Sequence, residues 1–163
     1  LYISILKEYK YIICILYTMT DIPNDAPMFS DCVNGTTVTA RVVSVYDGDT
    51  IKVVFPLNDI FYKWNCRLMG VDTPEIRTRN TKEKEYGYFV RDKLREKIND
   101  QIVNLKCEDL DKYGRLLVTV MCDNENNEKC NINEWLIQND YAFAYDGGTK
   151  RSWEEYLHNR NDV

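Results

Sequence analysis

Five stretches in which apolar and polar residues alternate, grouped around one amphipathic segment, constrain the fold of this chain most strongly. Successive side chains of a strand point to opposite faces, so the alternation predicts strands with one buried face. Strands are predicted over residues 37–46, 50–55, 62–69, 102–107 and 116–122. Residues 82–100 repeat apolar side chains every four positions and predict a helix with one apolar stripe. That stripe consists of Tyr86, Val90, Leu94 and Ile98, with Phe89 beside it.

The order of these elements, three strands, a helix and two strands, is typical of a five-stranded Greek-key barrel of the OB type. Two shorter helices are predicted over residues 131–138 and 152–160. We therefore expect an α+β fold, mainly β, in which three helices accompany the barrel. Asp47-Gly48, between the first two strands, predicts a hairpin turn in which glycine would supply a positive φ.

The first 34 residues differ in character from the rest of the chain. They contain a short apolar run at residues 11–17, followed by a polar segment with two prolines. A membrane-spanning helix needs about 20 apolar residues, so this run is too short to cross a bilayer. We expect residues 1–34 to be a poorly ordered or accessory extension, residues 35–163 to form the barrel domain, and the protein to be monomeric without a membrane segment.

Charge and cysteine usage limit the possible functions. The net charge of -5 and pI of about 5.0 argue against a broad basic surface for nucleic acid. They do not argue against a hydrolase, which needs cations at only one phosphate. The six cysteines form no Cys-x-x-Cys pair, which favours free thiols and a cytoplasmic location, including that of a virus-infected cell, over secretion. The single histidine, His158, argues against a histidine-based nuclease or a Ser-His triad.

Three short strings carry the residues suited to chemistry: residues 47–50 (DGDT), 71–75 (VDTPE) and 111–115 (DKYGR). If the second and third strands pair, Asp49 and Asp72 come to the same end of the barrel. Two carboxylates, completed by a backbone carbonyl and waters, suit Ca²⁺ better than zinc. So few protein ligands predict weak metal binding.

Three further residues complete a possible phosphodiesterase. Glu75 could orient or deprotonate a water molecule, and Arg67 and Arg115 could each bind two phosphate oxygens. Each residue alone has a more common explanation: the aspartates as turn residues, the glutamate as a solvated side chain, the arginines as surface ion-pair partners. Their combination favours a nuclease.

The identity and spacing of Asp49, Arg67, Asp72, Glu75 and Arg115 resemble the thermonuclease, or staphylococcal nuclease, family over about residues 37–158. The resemblance implies a Ca²⁺-dependent phosphodiesterase that cleaves DNA and/or RNA with low sequence specificity and leaves 3′-phosphate ends. It implies Ca²⁺ bound by Asp49, Asp72 and the carbonyl of Thr73, with Arg67, Glu75 and Arg115 as catalytic residues. It also implies substrate contacts from Lys112, Tyr113 and Tyr145. The turn at residues 146–150 (DGGTK) resembles one in viral members of the family.

A noncatalytic OB-type module that binds nucleic acid or protein is the main alternative, because such barrels often bind oligonucleotides without chemistry. A binding module would be expected to lose at least one of the five residues that match. All five are present, so the sequence favours the enzyme.

Overall fold

The fold is given by a computed structural model that describes residues 25–123 and 128–159. Its strands are β1 (Thr37–Val45), β2 (Thr50–Leu57), β3 (Ile60–Leu68), β4 (Val71–Asp72), β5 (Ile102–Leu110), β6 (Leu116–Asp123), β7 (Lys129–Asn131) and β8 (Phe143–Ala144). Its helices are α1 (Thr81–Ile98), α2 (Ile132–Gln138) and α3 (Trp153–Asn159), and a 3-10 turn (Phe29–Cys32) precedes β1.

Five strands form a closed barrel. Antiparallel pairs link β3, β2, β1, β5 and β6 in that order, and a parallel pairing of β3 with β6 closes the circle. The short strand β7 extends β6, while β4 and β8 form a separate pair. The predicted α+β fold, a five-stranded OB-type barrel with three helices, is confirmed.

Alternation along the strands builds the core of the barrel. On β2, for example, Ile51, Val53 and Phe55 are buried while the residues between them are more exposed. A bulge between Val42 and Ser44 shifts the register of β1, so that both Val42 and Val45 are buried despite their odd spacing. Burial of these side chains is the main force that holds the barrel together.

Helix α1 packs one side against the barrel. Its N-cap, Asn80, accepts a hydrogen bond from the Glu83 amide at 3.0 Å, which satisfies a free donor of the first turn. Val90, Leu94 and Ile98 of the predicted stripe are buried, but Phe89 is 45% exposed. The stripe is therefore narrower than the sequence suggested.

Several local predictions were wrong. Strand β5 continues to Leu110, so the loop before β6 is shorter than the one predicted over residues 108–115, and β4, β7 and β8 were not predicted at all. Gly48 lies in the turn between β1 and β2, but its φ is not positive. A Cβ there would lie only 2.8 Å from the Thr73 side chain and 2.9 Å from Val90, so this glycine is required by close packing.

The cysteines agree with the prediction of free thiols. All five in the described residues are free, and those on the barrel strands (Cys66, Cys107 and Cys122) are buried. Burial raises the pKa of Cys66 to about 12, which keeps it a neutral thiol. The location of the protein remains a prediction.

Most of the predicted extension lies outside the described residues. In its last part, Val33 is buried in the core and Phe29 stacks on Trp64 with ring centroids 5.6 Å apart. The predicted boundary at residue 34 stays a prediction, as does the end of the third helix, because residue 160 is outside the described range. None of the described helices combines the length and apolar character needed to cross a membrane.

Candidate active site

The pairing of β2, β3 and β6 brings two of the predicted catalytic residues together. Thr50 at the start of β2 is the register partner of Arg67 near the end of β3. The closing β3–β6 pair places Arg67 opposite Leu117, only two residues after Arg115. Barrel closure therefore juxtaposes two arginines that are 48 positions apart in the sequence.

Hydrogen bonds and ion pairs join these residues into one network, which we call the arginine half of the site. It comprises Asp49, Thr50, Arg67, Asp111 and Arg115. Arg67 forms an ion pair with the Asp49 carboxylate and donates a hydrogen bond to the Val71 carbonyl at 3.0 Å. The Thr50 hydroxyl donates to Asp49 at 3.0 Å and accepts a hydrogen bond from Arg115 at 3.1 Å.

Asp111 holds the second arginine. One of its oxygens lies 2.8 Å from Arg115 Nε and 2.7 Å from Nη2, while the other accepts hydrogen bonds from the Tyr113 and Arg115 amides, both at 2.9 Å. Burial alone would raise the pKa of Asp111, but these hydrogen bonds outweigh it and lower the pKa. The carboxylate thus stays charged and fixes the guanidinium at the edge of the cleft.

Burial also affects the other charges in this network. It lowers the pKa of Arg67, but the neighbouring Asp49 carboxylate outweighs burial and raises that pKa above its ordinary value. Burial and the charge of Asp49 together raise the pKa of Asp47 to about 6. Asp47 therefore binds a proton at a higher pH than an ordinary aspartate does.

Three further charged residues form what we call the lysine half of the site: Asp72, Glu75 and Lys150. The pairing of β4 with β8 places Asp72 opposite Phe143, and the following turn carries Lys150. The Lys150 ammonium lies 2.6 Å from Asp72 Oδ1 and 3.1 Å from Glu75 Oε1. Burial lowers the pKa of Lys150, but the Asp72 and Glu75 carboxylates beside it outweigh burial and raise the pKa.

Asp72 and Glu75 differ greatly in exposure. The Asp72 side chain is 3% exposed, whereas the Glu75 side chain is 56% exposed. Asp72 Oδ1 is buried and makes no hydrogen bond with good geometry, although the Lys150 charge is close to it. A buried carboxylate oxygen without a hydrogen bond is suited to a bound cation.

The oxygen donors of the predicted metal site fit a hard cation such as Ca²⁺. Asp49 and Asp72 provide two carboxylates, and Thr73 is buried with its side chain packed close to Gly48, next to Asp49. Within the described ranges, no three His, Cys, Asp or Glu side chains converge on one point. Water or substrate oxygens would have to supply the other ligands, since Ca²⁺ takes six to eight.

Both halves open onto one cleft of about 820 Å³. Seven of the nine residues predicted for the site line it: Asp49, Arg67, Glu75, Lys112, Tyr113, Arg115 and Tyr145. Asp72 lines an adjoining depression that shares Tyr145 with the cleft. Tyr113 is 72% exposed at the edge of the cleft, where the Lys112 ammonium and the Arg115 guanidinium lie over its ring, 5.1 and 5.5 Å from its centroid.

Sequence reasoning did not assign four residues of this site. Asp47 was interpreted only as a turn residue and Lys150 only as part of a turn. Thr50 was quoted without a role, and Asp111 was considered only as a surface ion-pair partner of an arginine. Lys150 had a detectable signal, because it is the cation that follows shortly after Tyr145, a predicted substrate contact. Asp47 had none beyond its proximity to Asp49.

Comparison with known proteins agrees with this geometry. The model of the staphylococcal nuclease homologue family matches residues 65–161, more than half of the chain. The chain belongs to the staphylococcal nuclease family. The match begins within β3, shortly before Arg67, and extends through Asp72, Glu75, Arg115 and α3.

Three relatives each match about three fifths of this chain. An uncharacterized protein of Methanocaldococcus jannaschii is 37% identical over 125 residues, which cover 64% of this chain and 58% of that protein. Endonuclease YncB of Bacillus subtilis is 34% identical over 107 residues, covering 64% and 48%. The thermonuclease of Staphylococcus hyicus is 36% identical over 99 residues, covering 59% and 56%. The chain thus spans about half to three fifths of the length of these staphylococcal nuclease relatives.

Proposed function

We propose that this protein is a Ca²⁺-dependent phosphodiesterase that hydrolyses DNA and/or RNA with low sequence specificity and leaves 3′-phosphate ends. One observation carries the proposal: two fixed guanidinium groups, an exposed carboxylate and the buried Asp49 carboxylate line a single cleft, and the buried Asp72 carboxylate lines the depression beside it. Family membership supports it, since relatives in the family are named endonuclease and thermonuclease.

In this proposal Arg67 and Arg115 stabilise the transition state. As water attacks phosphorus, negative charge grows on the phosphate oxygens, and a fixed cation stabilises that state more than the ground state. Both arginines are held by carboxylates, Asp49 and Asp111, so little reorganisation is needed when the substrate binds. Each retains N–H groups with which it can donate to a phosphate.

Glu75 is proposed to accept a proton from the attacking water or to orient it. Its side chain is solvent-accessible and lies in the cleft with both arginines, which a general base for water requires. Ca²⁺ bound to Asp49, Asp72 and the Thr73 carbonyl would polarise the phosphate and neutralise part of its charge. Phosphate oxygens would share in holding the ion, so we expect metal affinity to depend on substrate.

Substrate binding is proposed to rely on a few groups at the edge of the cleft. Tyr113 presents an exposed ring on which a base can stack, worth roughly 1 to 3 kcal/mol per base without sequence preference. Lys112 and Tyr145 add a cation and a hydroxyl beside it. All of these groups belong to one chain, so the proposed enzyme acts as a monomer.

A cleavage assay tests the proposal. The chain is incubated with supercoiled plasmid and with end-labelled single-stranded DNA and RNA, in Ca²⁺ or in excess chelator, and product ends are analysed. The proposal predicts cleavage in Ca²⁺ and none in chelator, with products that carry 3′-phosphate ends. Cleavage that survives full chelation would contradict the metal role, and binding without cleavage under every divalent ion would favour the noncatalytic OB-type module.

A further inference from the structure

Lys150 is a cation of the cleft to which the proposed reaction gives no role. It ends the turn at residues 146–150, which internal hydrogen bonds hold in place: the Tyr145 hydroxyl donates to the Gly148 carbonyl at 3.2 Å, and the Gly148 amide donates to Asp146 at 3.0 Å. From this turn the lysine side chain reaches two carboxylates that are 75 and 78 positions earlier in the chain.

The Lys150 ammonium lies beside two carboxylates, in a position that a bound metal cation would also take. It lies 2.6 Å from Asp72 Oδ1 and 3.1 Å from Glu75 Oε1. Asp72 is a proposed metal ligand and Glu75 the proposed base. A divalent ion that binds Asp72 would be close to the ammonium and would repel it.

The two proposed metal carboxylates hold their cations differently. The Arg67 and Asp49 side chains are only 14% and 11% exposed, whereas the Lys150 side chain is 46% exposed on a flexible four-carbon stem. Lys150 can therefore move away from its carboxylate at low cost, while Arg67 is confined by the barrel. An incoming metal ion would displace the lysine rather than the arginine.

We propose that Lys150 competes with the divalent cation for Asp72 and Glu75, and that metal binding releases its ammonium to contact the substrate phosphate. This inference rests on the proposed function. Its thermodynamic consequence is reciprocal: a phosphate that attracts the ammonium frees Asp72 for the metal, so metal and phosphate strengthen each other's binding.

Calorimetric titration of the full chain with Ca²⁺ tests the competition. The Lys150→Gln variant is expected to bind Ca²⁺ roughly three- to tenfold more tightly than the wild type. Arg151→Gln is the matched control: it removes the same charge one residue later, from a side chain that lies over the Phe143 ring. Its Ca²⁺ affinity should stay close to that of the wild type. If Lys150→Gln binds Ca²⁺ as tightly as the wild type or more weakly, the proposal is overturned. It is also overturned if neither the wild type nor Lys150→Gln binds Ca²⁺.

Thermal unfolding separates competition from a merely structural role. In chelator, Lys150→Gln should unfold at a lower temperature than the wild type, because Asp72 loses its neighbouring cation. Ca²⁺ should then raise its midpoint by more than it raises that of the wild type. A structural role would instead lower the midpoint alike in both conditions, and that result would overturn the proposal.

A measurement on the unaltered chain avoids any effect of the substitution on folding. Acetic anhydride modifies free lysine amines, and mass spectrometry gives the rate at Lys150 relative to Lys63, an exposed residue of β3 that contacts no carboxylate in the described structure. Ca²⁺ should increase the relative rate at Lys150 about two- to fivefold, and thymidine 5′-monophosphate added with Ca²⁺ should reduce it again. A rate that Ca²⁺ leaves unchanged would overturn the proposal.

None of these measurements depends on cleavage. Tighter Ca²⁺ binding by Lys150→Gln in a protein without nuclease activity would support the competition and contradict the proposed function. Ca²⁺-dependent cleavage by a protein whose metal affinity is unaffected by Lys150→Gln would support the proposed function and contradict the competition.

Discussion

The arginine half and the lysine half of the cleft are both held by ion pairs, but they owe their geometry to different parts of the fold. Arg67 and Thr50 are register partners on adjacent strands, and Arg115 directly precedes the strand that closes the barrel. Lys150, in contrast, reaches Asp72 and Glu75 from a turn after the two-residue strand β8. Strand pairing within the barrel positions the arginine half, whereas a turn outside the barrel completes the lysine half.

This difference has a functional meaning. Arg67 is confined by Asp49 and the Val71 carbonyl, as expected of a group that must be in place before the transition state forms. Glu75 and Lys150 are about half exposed, as expected of groups that handle water and exchange partners during the reaction. The barrel holds the Arg67 guanidinium in place, whereas the turn at residues 146–150 carries a lysine side chain that can move.

Substitution of Arg67 should have the largest effect, because it removes the cation proposed to stabilise the transition state and also leaves Asp49 without its partner. Arg67→Ala is expected to reduce kcat by roughly 10³-fold or more. It should also cost about 1 to 3 kcal/mol of unfolding free energy in chelator, since Asp49 is only 8% exposed.

Steady-state cleavage and urea unfolding measure these two effects. The control is Arg67→Lys, which keeps a charge beside Asp49 but loses the planar pair of donors. It should recover most of the stability and little of the turnover. Equal recovery of both would mean that Arg67 acts only as a counterion.

Substitution of Glu75 should affect turnover alone. Glu75→Gln is expected to lower kcat by roughly 10²-fold through loss of the proton acceptor. The change in unfolding free energy should stay below about 0.5 kcal/mol, because the side chain is exposed and its ion pair with Lys150 lies at the surface. A drop in thermal midpoint that parallels the loss of turnover would show that Glu75 is structural.

Gly48 connects the two halves, since it adjoins Asp49 and its Cα faces the side chain of Thr73, which adjoins Asp72. In Gly48→Ala the new Cβ would lie 2.8 Å from Thr73 atoms and 2.9 Å from Val90 Cγ1. We expect a loss of about 1 to 3 kcal/mol in urea unfolding, together with weaker Ca²⁺ binding. Wild-type stability would show that Thr73 can move without cost.

Asp47 should give the smallest effect, and one that depends on pH. Its pKa is raised from 3.8 to about 6, so the folded state binds its proton more tightly than the unfolded state does. The loss of folding stability caused by the ionised Asp47 carboxylate is therefore complete above about pH 6 and disappears as the pH falls to about 4. In chelator at about pH 8, Asp47→Asn should be more stable by about 1 to 2 kcal/mol. A gain that persisted below about pH 4 would contradict this assignment.

The sequence predicted that the strands carrying the two arginines approach each other, but it did not predict the contact of Lys150 with Asp72, for a physical reason. Alternation placed Arg67 and Arg115 at the ends of strands, and the predicted barrel required those strands to approach each other. The turn carrying Lys150 follows strands only two or three residues long, too short to show a period. Its contact with Asp72 spans 78 positions, and no local pattern encodes such a contact.

The predictions about Gly48 and β5 failed for related reasons. A glycine in a turn most often supplies positive φ, but at Gly48 the helix α1 and the Thr73 side chain leave no room for a Cβ. The charged residues Glu108 and Asp109 suggested a loop. However, the partly exposed end of β5 tolerates them, because one face of an antiparallel strand can be solvated.

The most direct test of the central claim, that both halves act on one phosphate through one cation, is a crystal structure with Ca²⁺ and thymidine 5′-monophosphate, in which anomalous scattering locates the ion. The account predicts one ion about 2.3 to 2.6 Å from carboxylate oxygens of Asp49 and Asp72. It further predicts that the phosphate contacts Arg67 and Arg115, and that the Lys150 ammonium has moved from Asp72 to that phosphate. An ion bound to only one of the two aspartates, or a phosphate bound away from both arginines, would contradict it.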